Sequence, residues 1–348
     1  MRRGLISWSR DELSEAVLDA RVAALQAAMG EARLDAVIAY TTPARAAAVS
    51  WLAGFVPYWN QGLLVVPRTG RPVLVSALSN RVNGWMRRNA HVADVKNSAR
   101  IGSEAGKHMK DVGGNAAIGV VDLPHLPAAV IDDIAAEGHT IADATALFRR
   151  VRAVSDPADL ALYETASQIA WRSLAVIDRG VRDAGRLVAR IDGEARRLGA
   201  EEVYPGVAAD LTRSTALVRL EGPCELGEFS AIRLSLAYKG AWVRVTRTLA
   251  RDDAVAGQIA DASSAFAGMA ADLPRTDALS KQTSWLIEGT RSALPLEPLA
   301  GSMIPDPEPL TPGSVVTVQA CLDADGMPLL IGGPVLVGTP SRLLGLPS

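Results

Sequence analysis

The strongest chemical signal in this chain is a pair of arginines on one stretch of alternating sequence. Ala231–Leu249 reads AIRLSLAYKGAWVRVTRTL, two strands around Lys239-Gly240. Side chains alternate between the faces of a strand. Ile232, Leu234 and Leu236 therefore share one face and Arg233 takes the other, while Arg244 shares its face with Trp242 and Thr246. A guanidinium stays protonated, offers only donors, and binds carboxylate or phosphate, often through two parallel bonds. Burying one without an anion costs roughly several kcal/mol even after relaxation. The pair therefore calls for an anion, supplied by the chain or by a ligand. The plainer alternative for each arginine is a solvent-facing position or a structural ion pair.

Other polar residues extend this picture. Arg213 and Arg219 can widen a positive pocket or sit on its rim, and Tyr204, Glu221, Tyr238 and Gln319 are the remaining polar groups expected to face it. Glu221 reads either as a general base or as a counterion for an arginine, and Tyr204 is the other candidate for proton transfer. Tyr238 has an alternative as a packing residue, and Gln319 offers a neutral amide. The four histidines are His91, His108, His125 and His139, so nothing after residue 139 can supply an imidazole for metal binding or proton transfer. Earlier in the chain Trp51, Tyr58, Trp59 and Asn60 cluster, as a ligand contact or as an apolar interface.

At 348 residues the chain is long enough for two domains, each with its own core. Hydrophobic residues make up 49% and charged residues 21%, which selects a globular chain over a disordered one. A net charge of −2 argues against a general nucleic-acid surface. Cys224 and Cys321 are too few for a disulfide framework; both read as buried free thiols in a reducing compartment. MRRGLISWSRDEL at the start lacks the apolar core of a signal peptide, and no apolar run reaches membrane length. A cytoplasmic, soluble protein is the expectation.

Periodicity orders the elements. Arg10–Gly30 has helical spacing, Leu34–Tyr40 reads as a buried strand, and Gln61–Pro67 with Pro72–Ser76 forms a hairpin across Thr69-Gly70. Ala117–Val121 is a further strand and Ile131–Glu137 a helix, giving a small α/β domain. Asp156 or Ser155 can cap a helix that starts at Pro157 and runs to about Arg179. Next come a helix over Ala184–Leu198, strands over Val203–Val207 and Ser214–Val218, and the arginine hairpin. Helices over Val255–Ala271 and Asp277–Ala293 and strands over Ser314–Leu322 and Pro328–Val337 complete the series.

The hairpin resembles that of the creatinase, prolidase and aminopeptidase P family, an Xaa-Pro peptidase-like "pita-bread" fold. The family pattern is D-x-G-x-x-Y-x-G-Y-x-x-D-x-T-R-T; Tyr238, Gly240, Thr246, Arg247 and Thr248 match it. Trp51–Phe55 (WLAGF), Phe148–Leu162 and the strand after Leu310-Thr311-Pro312-Gly313 resemble family segments too. The resemblance implies an α/β N-terminal domain of the creatinase type over residues 1–150 and an α+β pita-bread domain over 151–348. It also implies a dimer in which Trp59 and Asn60 reach the partner's pocket. Arg247, in T-R-T, then reads as structural. Where the family has five metal ligands, the two aspartate positions carry Arg233 and Arg244, and the two glutamates fall on Gln319 and Gly332. The histidine has no counterpart. No metal and no cofactor are expected.

Three functions follow from the resemblance. The first is a metal-independent protein that binds a small anionic molecule or peptide in the former metal pocket, with hydrolase or lyase chemistry in reach. The second is a non-catalytic pseudoenzyme, as a peptide-binding module or the silent subunit of a heterodimer with a metal-binding paralogue. The third and least favoured is an ordinary Xaa-Pro metallopeptidase.

Overall fold

The computed structural model describes residues 8–43, 45–178, 180–273, 284–289, 310–324 and 326–345. The chain divides into two compact units with the break between Arg152 and Ala153.

The first unit runs α1 (Glu15–Glu31), β1 (Ala36–Thr41), α2 (Ala47–Ala53), β2 (Gly62–Pro67), β3 (Val73–Ser76), α3 (Asn83–Asn89) and β4 (Asp94–Asn97). It continues with α4 (Ile101–Gly113), β5 (Ala117–Val121), α5 (Ala128–Ala136), β6 (Thr140–Asp143) and α6 (Thr145–Val151). The strands form one six-stranded sheet in the order β4-β3-β2-β1-β5-β6. β1 pairs antiparallel with β2 and parallel with β5. Near-continuous apolar runs in β1, β2 and β5 fit strands covered on both faces, and separate apolar clusters pack the two faces. The hairpin over 61–76 forms as its sequence requires, with Gly70 at φ 87 in the turn. Gly54 ends α2 at φ 68 and its N–H donates to the Ser50 carbonyl at 2.9 Å, the left-handed cap only glycine adopts without strain.

Asp122 follows β5 in left-handed backbone (φ 55), and burial pushes its carboxyl above the usual range although Arg149, His125 and Arg45 oppose the shift. A raised folded pKa means that its contribution is most favourable in acid and is lost as pH rises through that value. Asp122→Asn keeps a residue that tolerates this backbone and removes the charge. The variant should melt higher than the parent at neutral pH, and the two should converge below the ordinary aspartate pKa. Thermal melts across that range measure this.

The second unit opens with α7 (Pro157–Ala175) and α8 (Ala184–Arg197). Asp156 caps α7 by accepting from the Asp159 N–H at 2.8 Å, with Pro157 at the first helical position. Asp156→Ala should cost about 1 kcal/mol, read from denaturant melts. α7 ends earlier than its sequence spacing predicts. The β-branched pair Val176-Ile177 leads instead into a turn where Asp178 Oδ1 accepts from the Gly180 N–H at 2.9 Å. Then come β7 (Glu202–Ala208), β8 (Phe229–Tyr238), β9 (Ala241–Ala250), α9 (Asp253–Ala271), β10 (Ser284–Gly289), β11 (Val315–Ala324), β12 (Met327–Leu336) and β13 (Arg342–Leu343). They form a seven-stranded sheet in the order β10-β11-β12-β9-β8-β7, with β13 paired to β12.

Two expectations fail here. Ser214–Val218 is not a strand; only Val218 bridges, to Val207. Its polar residues carry no alternating apolar face to bury, and Leu217 alone is buried. The helix expected over Asp277–Ala293 is contradicted at its centre, where Ser284–Gly289 pairs antiparallel with β11. Residues 277–283 and 290–293 lie outside the described residues. Trp285, Leu286 and Ile287 favour a strand wherever an edge is free to pair. Cys224 and Cys321 are free but half-buried, where burial was expected. Among the described residues no helix is long and apolar enough to cross a membrane.

Candidate functional site

Helices cover one face of the second sheet. Ile232, Leu234, Leu236, Val243 and Val245 pack with α7 and α8, and Val316, Val318 and Ala320 pack with α9. Alternation and register place the polar residues on the other face. Tyr204, Ser235 and Arg244 stand in line across β7, β8 and β9. Two residues along, Gly206, Arg233 and Thr246 are in line, and the row continues through Gly332 of β12 to Gln319 of β11. Arg233 and Arg244 are thus diagonal neighbours on adjacent strands, roughly 7 Å apart at Cβ.

This face is dry. Arg233 is 2% exposed, Arg244 3%, Ser235 0% and Glu202 4%. Glu202 Oε2 accepts a hydrogen bond from the Tyr204 hydroxyl at 3.0 Å. The Tyr204 ring stacks on Trp242 with centroids 5.9 Å apart and planes at 16°. Thr246 Oγ1 donates to Gln319 Oε1 at 3.0 Å, which aims the Gln319 amide NH2 elsewhere. The buried hydroxyls of Ser235 and Thr317 have no hydrogen-bond partner among the described residues. Such groups ordinarily bind something.

Of the residues singled out from sequence, the structure brings Tyr204, Arg233, Arg244 and Gln319 onto this one face. Tyr238, Arg213, Arg219 and Glu221 lie elsewhere in the second unit. Tyr238 lies on the helix-covered face, where it packs with the apolar cluster beneath α7 and α8 and against Gly199. Its alternation with Leu236 and Leu234 predicts that placement, so the ligand-contact expectation is corrected. Arg213 is exposed and pairs with Asp210 at 3.4 Å. Two hydrogen bonds from Thr212 are the main reason the Asp210 carboxyl sits below its ordinary range, with Arg213 adding to them. Arg219 and Glu221 are exposed in the connection between β7 and β8. Trp59 and Asn60 belong to the first unit. Trp59 is 68% exposed, and Asn60 holds φ 62 while its side chain ties Gln61 N–H to the Ala77 carbonyl. Sequence reasoning missed Glu202, Ser235 and Thr317. The signal for Ser235 and Thr317 was their parity with Arg233 and Gln319 on strands already identified; Glu202 lies just before the strand read from sequence.

Residues 21–154 match the Creatinase/Prolidase N-terminal domain. The dipeptidase PepE from Mycobacterium ulcerans has the same fold, with a TM-score of 0.70 at 19% identity over 97% of each chain. So do the prolidase from Pyrococcus horikoshii OT3 (TM-score 0.71, 15% identity, 94% of this chain and 99% of that one) and the X-Pro aminopeptidase from Thermotoga maritima MSB8 (TM-score 0.70, 15% identity, 94% and 98%). The chain therefore has the fold of these dipeptidases, prolidases and X-Pro aminopeptidases, with a creatinase/prolidase N-terminal domain over residues 21–154. No curated protein sequence matches it.

A metal pair of the creatinase/prolidase kind does not fit the residues present. Divalent ions need anionic oxygens or neutral imidazoles. The hairpin positions expected to supply them hold two fixed cations, and Gln319 supplies an amide already engaged by Thr246. Gly332 is closed to any side chain. A Cβ built there would lie 2.8 Å from the Val318 carbonyl oxygen and 3.1 Å from Gln319 Cα. Among the described residues no three His, Cys, Asp or Glu side chains come together in a metal-binding group.

Proposed function

We propose that this creatinase/prolidase-fold protein binds a small carboxylate through Arg233 and Arg244, in the position where its relatives in sequence pattern bind divalent ions. The observation that carries this reading is the company of the two guanidiniums: two buried hydroxyls, Ser235 and Thr317, with no partner among the described residues, and a third, Tyr204, backed by Glu202. Arginines supply the charge, the Ser235 and Thr317 hydroxyls supply directional donors, and the low exposure of these groups strengthens both. A ligand enclosed this way is small.

The same groups are suited to a metal-independent hydrolysis or elimination. The guanidiniums would stabilise negative charge as it develops. Tyr204, hydrogen-bonded to Glu202, replaces the exposed Glu221 as the group placed to move a proton. The dipeptidase and prolidase relatives make short peptides the first substrates to try. In a thermal-shift series, small carboxylates and dipeptides should raise Tm while the corresponding amides and amines should not. Equal shifts from neutral analogues, or none from any carboxylate, would overturn the reading.

A second reading is favoured by the exposed Trp59 beside the half-exposed Tyr58 in the first unit. This surface suits another copy or a metal-binding paralogue, with the present chain as the non-catalytic subunit. Under that reading Arg233→Asp leaves complex formation with the paralogue unchanged, whereas under the first it removes the carboxylate-induced rise in Tm.

A further inference from the structure

A cavity of about 600 Å³ lies beneath the helices of the second unit, on the face of the sheet opposite the arginine pair. Trp171 lines it from α7 and Leu249 from β9, and both pack on the apolar core under α7 and α8. Ile259 and Phe266 line it from α9, Ile331 from β12 and Leu343 from β13, and these pack with the separate apolar core under α9. The cavity thus lies between two cores. Its polar side chains are bonded within the chain. Thr248 Oγ1 donates to the Leu330 carbonyl and accepts from the Leu330 N–H, both at 2.8 Å. Ser263 Oγ donates to the Ile259 carbonyl at 2.7 Å, and Trp171 Nε1 donates to the Leu344 carbonyl at 3.0 Å. Thr246 donates to Gln319, and Arg247 already holds an interaction of its own. Each polar side chain on the described wall therefore has a partner.

We infer that this cavity binds an uncharged, ring-bearing apolar molecule between Trp171 of α7 and Phe266 of α9. The wall selects against the other occupants. Water needs polar partners of its own, and a charged ligand would give up its hydration for groups already bonded to one another. An empty space lined by apolar side chains forfeits packing contacts in proportion to its size. The volume lies in the range of small-molecule pockets. Aromatic side chains carried by two different helices offer a bound ring a face or an edge to pack against. The site is separate from the proposed carboxylate site, which lies on the other face of the sheet, and the inference does not rest on that reading.

Titration calorimetry of the full-length protein with 1-naphthalenemethanol, 1-naphthoate and 1-naphthylmethylammonium tests the assignment, since the probes share a ring and differ in charge. The alcohol should bind saturably with one site per chain, and each ion should bind about tenfold more weakly or worse. Trp171→Ala should weaken the alcohol by about tenfold. Ala262→Phe, which fills the cavity from α9, should abolish its binding while circular dichroism shows the fold intact. Should that variant fail to fold, Ile259→Trp narrows the same space and should give the same loss. Arg233→Met with Arg244→Met should leave the affinity for the alcohol as it is, so failure of the carboxylate site and failure of this one are read separately. Absence of saturable binding, equal affinity for the alcohol and either ion, or undiminished binding in the folded cavity-filling variant would overturn the inference.

Discussion

Exchanging Arg233 and Arg244 together for methionine will remove carboxylate binding by a factor above 100 and leave the protein folded. Each charge-assisted contact to a carboxylate is worth about 1.5–3 kcal/mol, so two together exceed a hundredfold in affinity. The fold should survive because methionine preserves most of the volume, and replacing buried ionic groups by apolar ones is often neutral or stabilising by about 1–4 kcal/mol. Glu202 is the complication. It is 4% exposed on the same face, and if it depends on either arginine, the double variant leaves it without compensation, at about 3–5 kcal/mol. Adding Glu202→Gln separates the cases. A large loss of Tm in the double variant that the third change restores, together with a wild-type Tm indifferent to carboxylates, means that the arginines are a structural network. An unchanged Tm with a vanished ligand shift means that they are a binding site. Calorimetry and thermal melts on the three proteins give both numbers.

The second large effect concerns Gly332. Its hydrogens face the Val318 carbonyl and the Gln319 backbone so closely that even an alanine Cβ must part β11 from β12. Gly332→Ala should cost about 2–3 kcal/mol by overpacking, and Gly332→Glu, the residue the creatinase/prolidase pattern places here, should not fold to a stable state. Gly193→Ala is the control. Gly193 sits in α8 with nothing within 4 Å of a new Cβ, so alanine there should stabilise by about 0.5–1 kcal/mol through helix propensity. Denaturant midpoints measure all three. A stable Gly332→Glu variant would show that the backbone retains room for the missing ligand.

Much of this protein was legible in its residues. The 3.6 and 2.0 periodicities place α1, α8, β8, β9, β11 and β12 to within a few residues, because long strongly patterned segments leave one face to bury. The resemblance in the second half rests on five matching hairpin residues, the linker over Phe148–Leu162 and the strand after Leu310-Thr311-Pro312-Gly313, yet the fold likeness spans nearly the whole chain. The site was half legible. Alternation put Arg233 and Arg244 on the face opposite the helices, and the same alternation, carried to Leu236 and Tyr238, excludes Tyr238. Glu202 was hidden because its neighbour Glu201 makes the dipeptide read as a polar loop; only the pairing of β7 with β8 reveals that one of the two faces inward. Glu221 was overvalued because proximity in sequence to the hairpin says nothing of burial, and the connection that carries it is solvated. Ser284–Gly289 was misread because a short apolar run serves a helix or a strand equally until its partner edge is known.

The most direct measurement is divalent-ion content at equilibrium. The full-length protein would be dialysed against Mn(II), Co(II) and Zn(II) and analysed beside the Arg233→Met, Arg244→Met variant. With two guanidiniums on the floor and Gly332 closed, the protein should retain far less than one ion per chain, and Tm should respond to small carboxylates and not to the metals. Two ions bound per wild-type chain with a matching rise in Tm would contradict the account.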